Sequence, residues 1–187
     1  MSVTWVWPGV LSYEERDGAM RAFCEILAAS WGDFGARGHA LELGHDFIEG
    51  ELPALLAGFN ETREGEDMPW LAALVCCSLF DLAVHDAYGN LHGESVYRMY
   101  GPEHMNRDLS AFLEPASESD FSFSNRYPDG FLVRKPPSTL PAWHLVGGLD
   151  PVGRDELTGK EPDDGYPVEL SDWIKRDGLR CLKIKLR

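Results

Sequence analysis

Cysteine and basic residues are both scarce in this chain. Cysteine occurs four times among 187 residues, and no Cys-x-x-Cys pair is present to bind structural zinc or to carry out dithiol chemistry. Lys and Arg number 17 against 31 Asp and Glu, which gives a formal net charge of -14. This charge opposes nonspecific binding to nucleic acid and to anionic lipid by long-range repulsion. We therefore expect neither nucleic acid nor a membrane as a partner.

The sequence also lacks long apolar runs and targeting segments. No stretch is expected to reach the roughly 20 uncharged apolar residues of a membrane span, and the first residues, MSVTWVWPGV, lack the basic and long apolar regions of a signal peptide. Cys76 and Cys77 lie in the apolar run WLAALVCCSLF, where thiols usually act as small core side chains. The sequence neither requires nor excludes a disulfide between Cys24 and Cys181. We predict a cytoplasmic protein in a reducing compartment.

Helical patterns dominate the first hundred residues. Ser12 and Glu15 fit a capping box, in which the hydroxyl and the carboxylate each accept from a free amide at a helix start. Four apolar residues follow with the spacing of one helix face: Met20, Phe23, Leu27 and Trp31. Gly32 is expected to end this helix, and a further short helix is expected from about Pro53.

The strongest predicted helix runs from Trp70 to Tyr88 and is expected to end at Gly89. Its first half is apolar on nearly every face. We therefore expect one continuous helix, buried through Phe80, at the centre of a helical bundle. A short helix in ESVYRMY should follow it and end at Gly101.

After Gly101 the scattered prolines and polar residues indicate a connecting segment. Next come a predicted strand in AWHLVGG, a predicted helix in ELSDWIKRDG and a second predicted strand in LRCLKIKL. Strand, crossover helix and strand form the unit of a parallel sheet. We predict an α+β chain with a mostly helical domain over residues 1–110, a connecting segment over 111–140 and the start of a second domain over 141–187.

Two groups of histidine and acidic residues are candidate sites. HALELGH places His39, Glu42 and His45 three residues apart, whereas the metalloprotease pattern needs histidines four apart on one helix face. Asp81 and His85 lie four apart on the predicted long helix and can pair, although a hydrogen-bonded buried histidine is the commoner arrangement. We expect no metal site in either group.

Lys183 and Lys185 alternate with apolar residues in the last predicted strand. The alternate positions hold Leu182, Ile184 and Leu186. Alternation places both ammonium groups on one face, opposite the apolar side chains, and we expect this strand to lie parallel to the strand containing Leu145. One explanation is an exposed edge strand whose lysines oppose aggregation. The other is a pair of catalytic lysines.

Two segments resemble a known family. The segment SLFDLAVHDAYGNLHGESVYRMYG resembles the helix that closes the capping domain in the mandelate racemase and muconate lactonizing enzyme group of the enolase superfamily. The matching residues are Asp81, Ala83, Asp86, Gly89, Gly93, Val96 and Gly101. Further along, DWIKRDGLRCLKIKL resembles the second barrel strand of the same group, whose Lys-x-Lys motif carries the base. Two motifs in the expected order are more specific than either alone.

The resemblance implies a helical capping domain followed by the first βα units of a (β/α)8 TIM barrel. It also implies that Lys185 removes the proton α to a carboxylate, while Lys183 tunes Lys185 and contacts the substrate. The family uses Mg²⁺ to stabilise the intermediate, and its reactions are racemisation, cycloisomerisation or dehydration of small carboxylates. A homo-oligomer is implied as well.

The chain departs from this family in its extent. A complete barrel takes roughly 250 residues, whereas about 45 follow the first predicted strand here. The family's three acidic metal ligands belong to the third, fourth and fifth strands, and most of its N-terminal hairpin has no counterpart. We therefore expect an N-terminal piece of such an enzyme that is inactive alone. The alternative is a non-catalytic acidic helical module that binds a protein partner.

Overall fold

The computed structural model describes residues 4–185, which form two compact units divided between Leu132 and Val133. This division falls inside the predicted connecting segment 111–140. The first part of that segment belongs to the helical unit, because the Leu109 amide donates to the Arg126 carbonyl at 2.8 Å and the Asp129 amide donates to the Tyr100 carbonyl at 3.0 Å. Its prolines and polar residues thus form short turns on the helical unit.

The helical unit contains four α-helices. They are α1 (Tyr13–Asp33), α2 (Ala40–Gly50), α3 (Leu52–Glu61) and α4 (Trp70–His92). Single 3-10 turns at Thr4–Val6, Val96–Arg98, Leu109–Ala111 and Pro128–Phe131 complete the unit. All four helices contribute side chains to one core, which includes Trp7, Phe23, Leu27, Phe47, Leu52, Met68, Cys76 and Cys77. The prediction that Cys76 and Cys77 are core side chains is confirmed.

Capping boxes begin the first two helices. The box predicted for α1 is confirmed, since the Glu15 amide donates to Ser12 Oγ at 3.2 Å and the Ser12 amide donates to Glu15 Oε2 at 2.8 Å. A second box, formed by His39 and Glu42, begins α2. Helix α2 was not predicted. It ends at Gly50, and α3 begins two residues later.

Helix α4 is continuous as predicted, but it extends to His92 and not to Gly89. Gly93 ends the helix in the left-handed conformation, with φ of 67°. Gly89 lies inside the helix, where a side chain would be tightly placed. A Cβ at this position would lie 3.0 Å from the Glu94 carbonyl oxygen, where the chain turns back against the helix.

The prediction that α4 is buried through Phe80 is wrong. Its small residues form the buried face: Ala72, Ala73, Cys76 and Cys77. Away from this face, Leu71, Leu79 and Leu82 are 49%, 60% and 65% exposed. Helix α4 is therefore apolar on all its faces, but within the described residues it is buried on one side.

The expectation that no segment resembles a membrane span also needs correction. Helix α4 is long enough and apolar enough to cross a bilayer by length and composition. Helix α4 packs against α1, α2 and α3, and 22% of its apolar stretch is buried. It is the central helix of the helical unit.

The second unit contains the predicted strand, helix and strand. These are β1 (Trp143–Val146), α5 (Leu170–Asp177) and β2 (Cys181–Ile184), with a 3-10 turn at Arg154–Glu156. The two strands are parallel, as predicted, with Leu145 opposite Lys183 in the register. The described residues of this unit contain this two-stranded sheet, which together with the helices is compatible with the predicted α+β class.

Gly93→Ala should lower the free energy of unfolding of the helical unit by roughly 1 kcal/mol, because the left-handed conformation is costly for a residue with a Cβ. Gly18→Ala is the matched control. Gly18 lies inside α1 with open space around its Cβ position, so alanine should raise stability by about 0.5 to 1 kcal/mol. Urea unfolding measures both. A Gly93→Ala variant as stable as the parent would contradict the helix end described here.

Candidate functional site

The two lysines occupy one face of the parallel sheet. Strand alternation and the register place Lys183 and Lys185 on the face that also carries Trp143 and Leu145. Both lysines are exposed. The Lys185 amide donates to the Val146 carbonyl at 3.0 Å, which continues the pairing of the strands just past the end of β2. Both amines therefore lie at the carboxyl end of a parallel pair of strands.

Helix α5 covers the other face of this sheet. His144 stacks near Trp173 of α5, with 5.0 Å between ring centroids, and Val146 is buried. Leu182 lies on this face and is half-buried, whereas Ile184 is 64% exposed. The prediction that the lysines lie opposite Leu182 and Ile184 agrees with this arrangement. Leu186, which the alternation was predicted to place with Leu182 and Ile184, lies outside the described residues.

The sheet unit also contains an open cavity of about 470 Å³, and neither lysine is among its lining residues. Its wall includes aromatic rings from His144, Tyr166 and Trp173 and the carboxylates of Asp150, Glu161 and Asp164. These carboxylates accept hydrogen bonds from backbone amides of the segment between β1 and α5 and so stabilise that segment. Amide hydrogen bonds led by that from Thr158 lower the pKa of Glu161 to about 2, while Asp150 accepts from the Gly147 amide at 2.6 Å.

The helical unit places Glu42, one of the residues considered as a metal ligand, in a structural role. Glu42 is 3% exposed and accepts four N–H hydrogen bonds. They come from the His39 amide at 3.1 Å, the Asn106 amide and side chain at 2.6 and 2.8 Å, and the Arg107 amide at 2.8 Å. This buried carboxylate thereby joins the start of α2 to the loop 64 residues further along the chain.

Neighbouring groups strengthen this junction. The Arg107 guanidinium donates to both carboxylate oxygens of Asp46, at 2.8 and 2.9 Å, and to the Glu42 carbonyl at 3.1 Å. His39 Nδ1 accepts from the Leu41 amide, and burial lowers the pKa of His39 even though the Glu42 charge opposes this shift. His39 is therefore a buried neutral cap at neutral pH.

The remaining predicted pairs also have structural partners. His45 packs its ring edge-on against Phe112, with centroids 4.9 Å apart. His85 Nδ1 lies 2.9 Å from the Asp81 carbonyl oxygen and 3.6 Å from its carboxylate. No group of three or more His, Cys, Asp or Glu side chains within residues 4–185 is arranged to hold a metal ion.

Sequence reasoning missed the importance of Glu42, Asn106 and Arg107. One signal was present, since His39 and Glu42 have the spacing of a capping box. Histidine is an unusual cap, and the other two partners are distant in sequence. Nothing local indicates that the carboxylate would bind them.

Comparisons of the chain with protein-family models, curated proteins and solved structures found no match.

Glu42→Gln should lower the free energy of unfolding at pH 7 by about 2 kcal/mol, because a neutral amide replaces a carboxylate that accepts several N–H groups. Burial opposes ionisation of Glu42, but hydrogen bonds from Asn106, His39 and Arg107 outweigh it and lower the pKa of Glu42. The ionised carboxylate therefore stabilises the fold above its unfolded-state pKa of about 4.3, and this contribution is lost as the pH falls through the folded-state value.

Urea unfolding between pH 7 and pH 3 measures this loss. The parent should lose more stability below about pH 4.3 than Glu42→Gln, which lacks the titrating group. Glu49→Gln, an exposed change on the same helix, should follow the parent. Identical pH dependence in Glu42→Gln and the parent would show that Glu42 is not the group responsible.

Proposed function

We propose that this chain comprises a capping domain and the first barrel strands of a protein of the mandelate racemase and muconate lactonizing enzyme group. The first of the two family motifs, SLFDLAVHDAYGNLHGESVYRMYG, supports this proposal through the local structure that it forms. Its residues form the second half of α4, the left-handed turn at Gly93 and the segment up to Gly101, which is buried beside the Asp129 carboxylate. The left-handed conformation of Gly93 and the close neighbours of Gly89 and Gly101 thus explain why the motif has glycine at these positions.

The single observation that carries the proposal is the position of the lysine pair on the sheet. In a (β/α)8 barrel the helices cover the outer face of the strands, and the active site lies at the carboxyl ends of the strands. Lys183 and Lys185 lie on the face opposite α5 and at the carboxyl end of β2. This is where a barrel enzyme of this group would place its base.

The proposed chemistry is proton abstraction next to a carboxylate. The neutral amine of Lys185 takes the α-proton, the C–H electron pair moves onto the substrate carboxylate, and the resulting ammonium can return the proton to the same carbon. Lys183, two residues earlier on the same face, supplies a positive charge near the substrate carboxylate.

Magnesium supplies charge stabilisation of the intermediate in the family. The described residues of this chain do not provide a ligand set for it, so we assign no step to the metal. Residues of further barrel strands would have to supply that site. We further propose a cytoplasmic homo-oligomer acting on a small carboxylate, with racemisation, cycloisomerisation or dehydration as its outcome.

A second candidate function is a non-catalytic acidic module that binds a protein partner. Two observations favour it: residues 1–132 contain 22 of the 31 acidic and 7 of the 17 basic residues, and Leu71, Leu79 and Leu82 form an exposed apolar row on α4. In this case the lysines only protect an exposed strand edge.

The 187-residue chain alone should not exchange the α-proton of a carboxylate substrate, because the second negative charge that forms on the substrate lacks sufficient stabilisation. Exchange in deuterated water with magnesium, followed by proton NMR on a panel of acid sugars and aromatic hydroxy acids, measures this. The chain as given is compared with a version extended through further barrel strands.

The extended protein should exchange at least one acid, and Lys185→Ala in that protein should lower the rate by a factor of about 100 or more. Lys175→Ala on α5, where the ammonium pairs with Asp172 at 3.1 Å, is the matched control and should leave the rate unchanged. An extended protein that folds but exchanges none of the acids would favour the interaction module. Exchange by the short chain that is lost in Lys185→Ala would show that the residues present are sufficient.

A further inference from the structure

Two thiols meet where α1 packs against α4. Cys24 lies on α1 and is half-buried, whereas Cys76 lies on the buried face of α4 and is 2% exposed. Alanines are among the buried residues of both helices, at Ala19, Ala72 and Ala73. Small side chains permit the close approach of helix backbones that a link between two cysteines requires.

A hydrogen bond fixes the position of the Cys76 sulfur. The Cys76 thiol donates to the Met20 carbonyl oxygen at 3.6 Å. In an α-helix the carbonyl of residue 20 points toward residue 24 and accepts a hydrogen bond from the amide of that residue. The Cys76 sulfur therefore lies beside the turn of α1 that carries Cys24, and the influence of Cys24 on the pKa of Cys76 agrees with this proximity.

We propose that Cys24 and Cys76 form a reversible disulfide that links α1 to α4, with low-molecular-weight disulfides such as glutathione disulfide as the oxidant. Cys24 is the thiol that reacts first, since it is the more accessible of the two. Cys76 is the thiol that completes the link. The link joins two positions 52 residues apart, so that α2 and α3 lie within the closed loop.

The reaction proceeds by two exchanges. The Cys24 thiolate attacks one sulfur of glutathione disulfide, a mixed disulfide forms, and one glutathione leaves as a thiolate. The Cys76 sulfur then attacks the Cys24 sulfur, its proton passes to solvent, and the second glutathione leaves. Two protein thiols are oxidised and one glutathione disulfide is reduced to two thiols.

Burial and the nearby Cys24 raise the pKa of Cys76 to about 12, so Cys76 remains a thiol at neutral pH and is not itself the first to react. Cys77 faces different neighbours. Burial raises its pKa as well, but the side chains that influence it are Trp31 and Asp81. Adjacent residues on a helix point in directions about 100° apart, which is why Cys77 lies near Trp31, at the end of α1, whereas Cys76 lies near the turn that carries Cys24.

The test incubates the native chain with glutathione redox buffers, blocks free thiols by alkylation and maps linked peptides by mass spectrometry without reduction. A peptide pair joined through Cys24 and Cys76 is expected, and reduction should release it. Oxidation should raise Tm by on the order of 5 °C, because the link constrains the unfolded chain.

Cys24→Ser should abolish the linked peptide and the rise in Tm, and this half-buried position should tolerate the change. Cys181→Ser is the matched control and should retain both, since Cys181 lies on β2. A stable glutathione adduct at Cys24 without the internal link would overturn the proposal, as would a link from Cys24 to Cys77 or to Cys181.

Discussion

The helical unit depends on a buried carboxylate that binds two distant parts of the chain at once. Glu42 is placed by the first turn of α2, but three of its four N–H donors belong to Asn106 and Arg107, after α4 has ended. A buried carboxylate without these donors would carry a large desolvation cost. The path of the chain after α4 is therefore fixed by the need to deliver those donors.

This constraint explains the turns between α4 and Asn106. The chain must reverse direction after His92 and return toward α2, which lies against α4. Gly93 permits the reversal by its left-handed conformation, and Gly89 leaves room for the returning backbone near Glu94. The motif that resembles the enolase superfamily thus includes the residues that make this return possible, independently of any catalytic role.

Local signals in the sequence predicted the elements that depend on neighbours in the chain. The capping box at Ser12, the apolar run of α4 and the alternation in β2 each act within a few residues, and all three elements form. Helix α2 was missed because its cap is a histidine and its stabilising donors come from Asn106 and Arg107. One-sided burial of α4 was missed because composition cannot tell which apolar face finds a partner.

The sheet face that carries Lys183 and Lys185 shows the same limit of prediction from local sequence signals. Alternation and the strand-helix-strand order predicted a parallel pair with both lysines on one face, and the register agrees. What the lysines face is not determined by this local alternation. Trp143 and Leu145 share their face and are 64% and 46% exposed. A barrel interior would bury these apolar side chains, whereas a simple edge strand accounts for the lysines and leaves the tryptophan unexplained.

Charge distribution adds a final argument about an anionic substrate. All five lysines of the chain follow Leu132, at positions 135, 160, 175, 183 and 185, whereas the helical unit holds most of the acidic residues. At physiological ionic strength electrostatic fields are screened over about 8 Å, so carboxylates beyond that distance repel an anion only weakly. Attraction at short range then matters most for an anion, and one face of the sheet carries the amines of Lys183 and Lys185. The acidic composition that argues against nucleic acid as a partner is therefore compatible with a carboxylate substrate at this face.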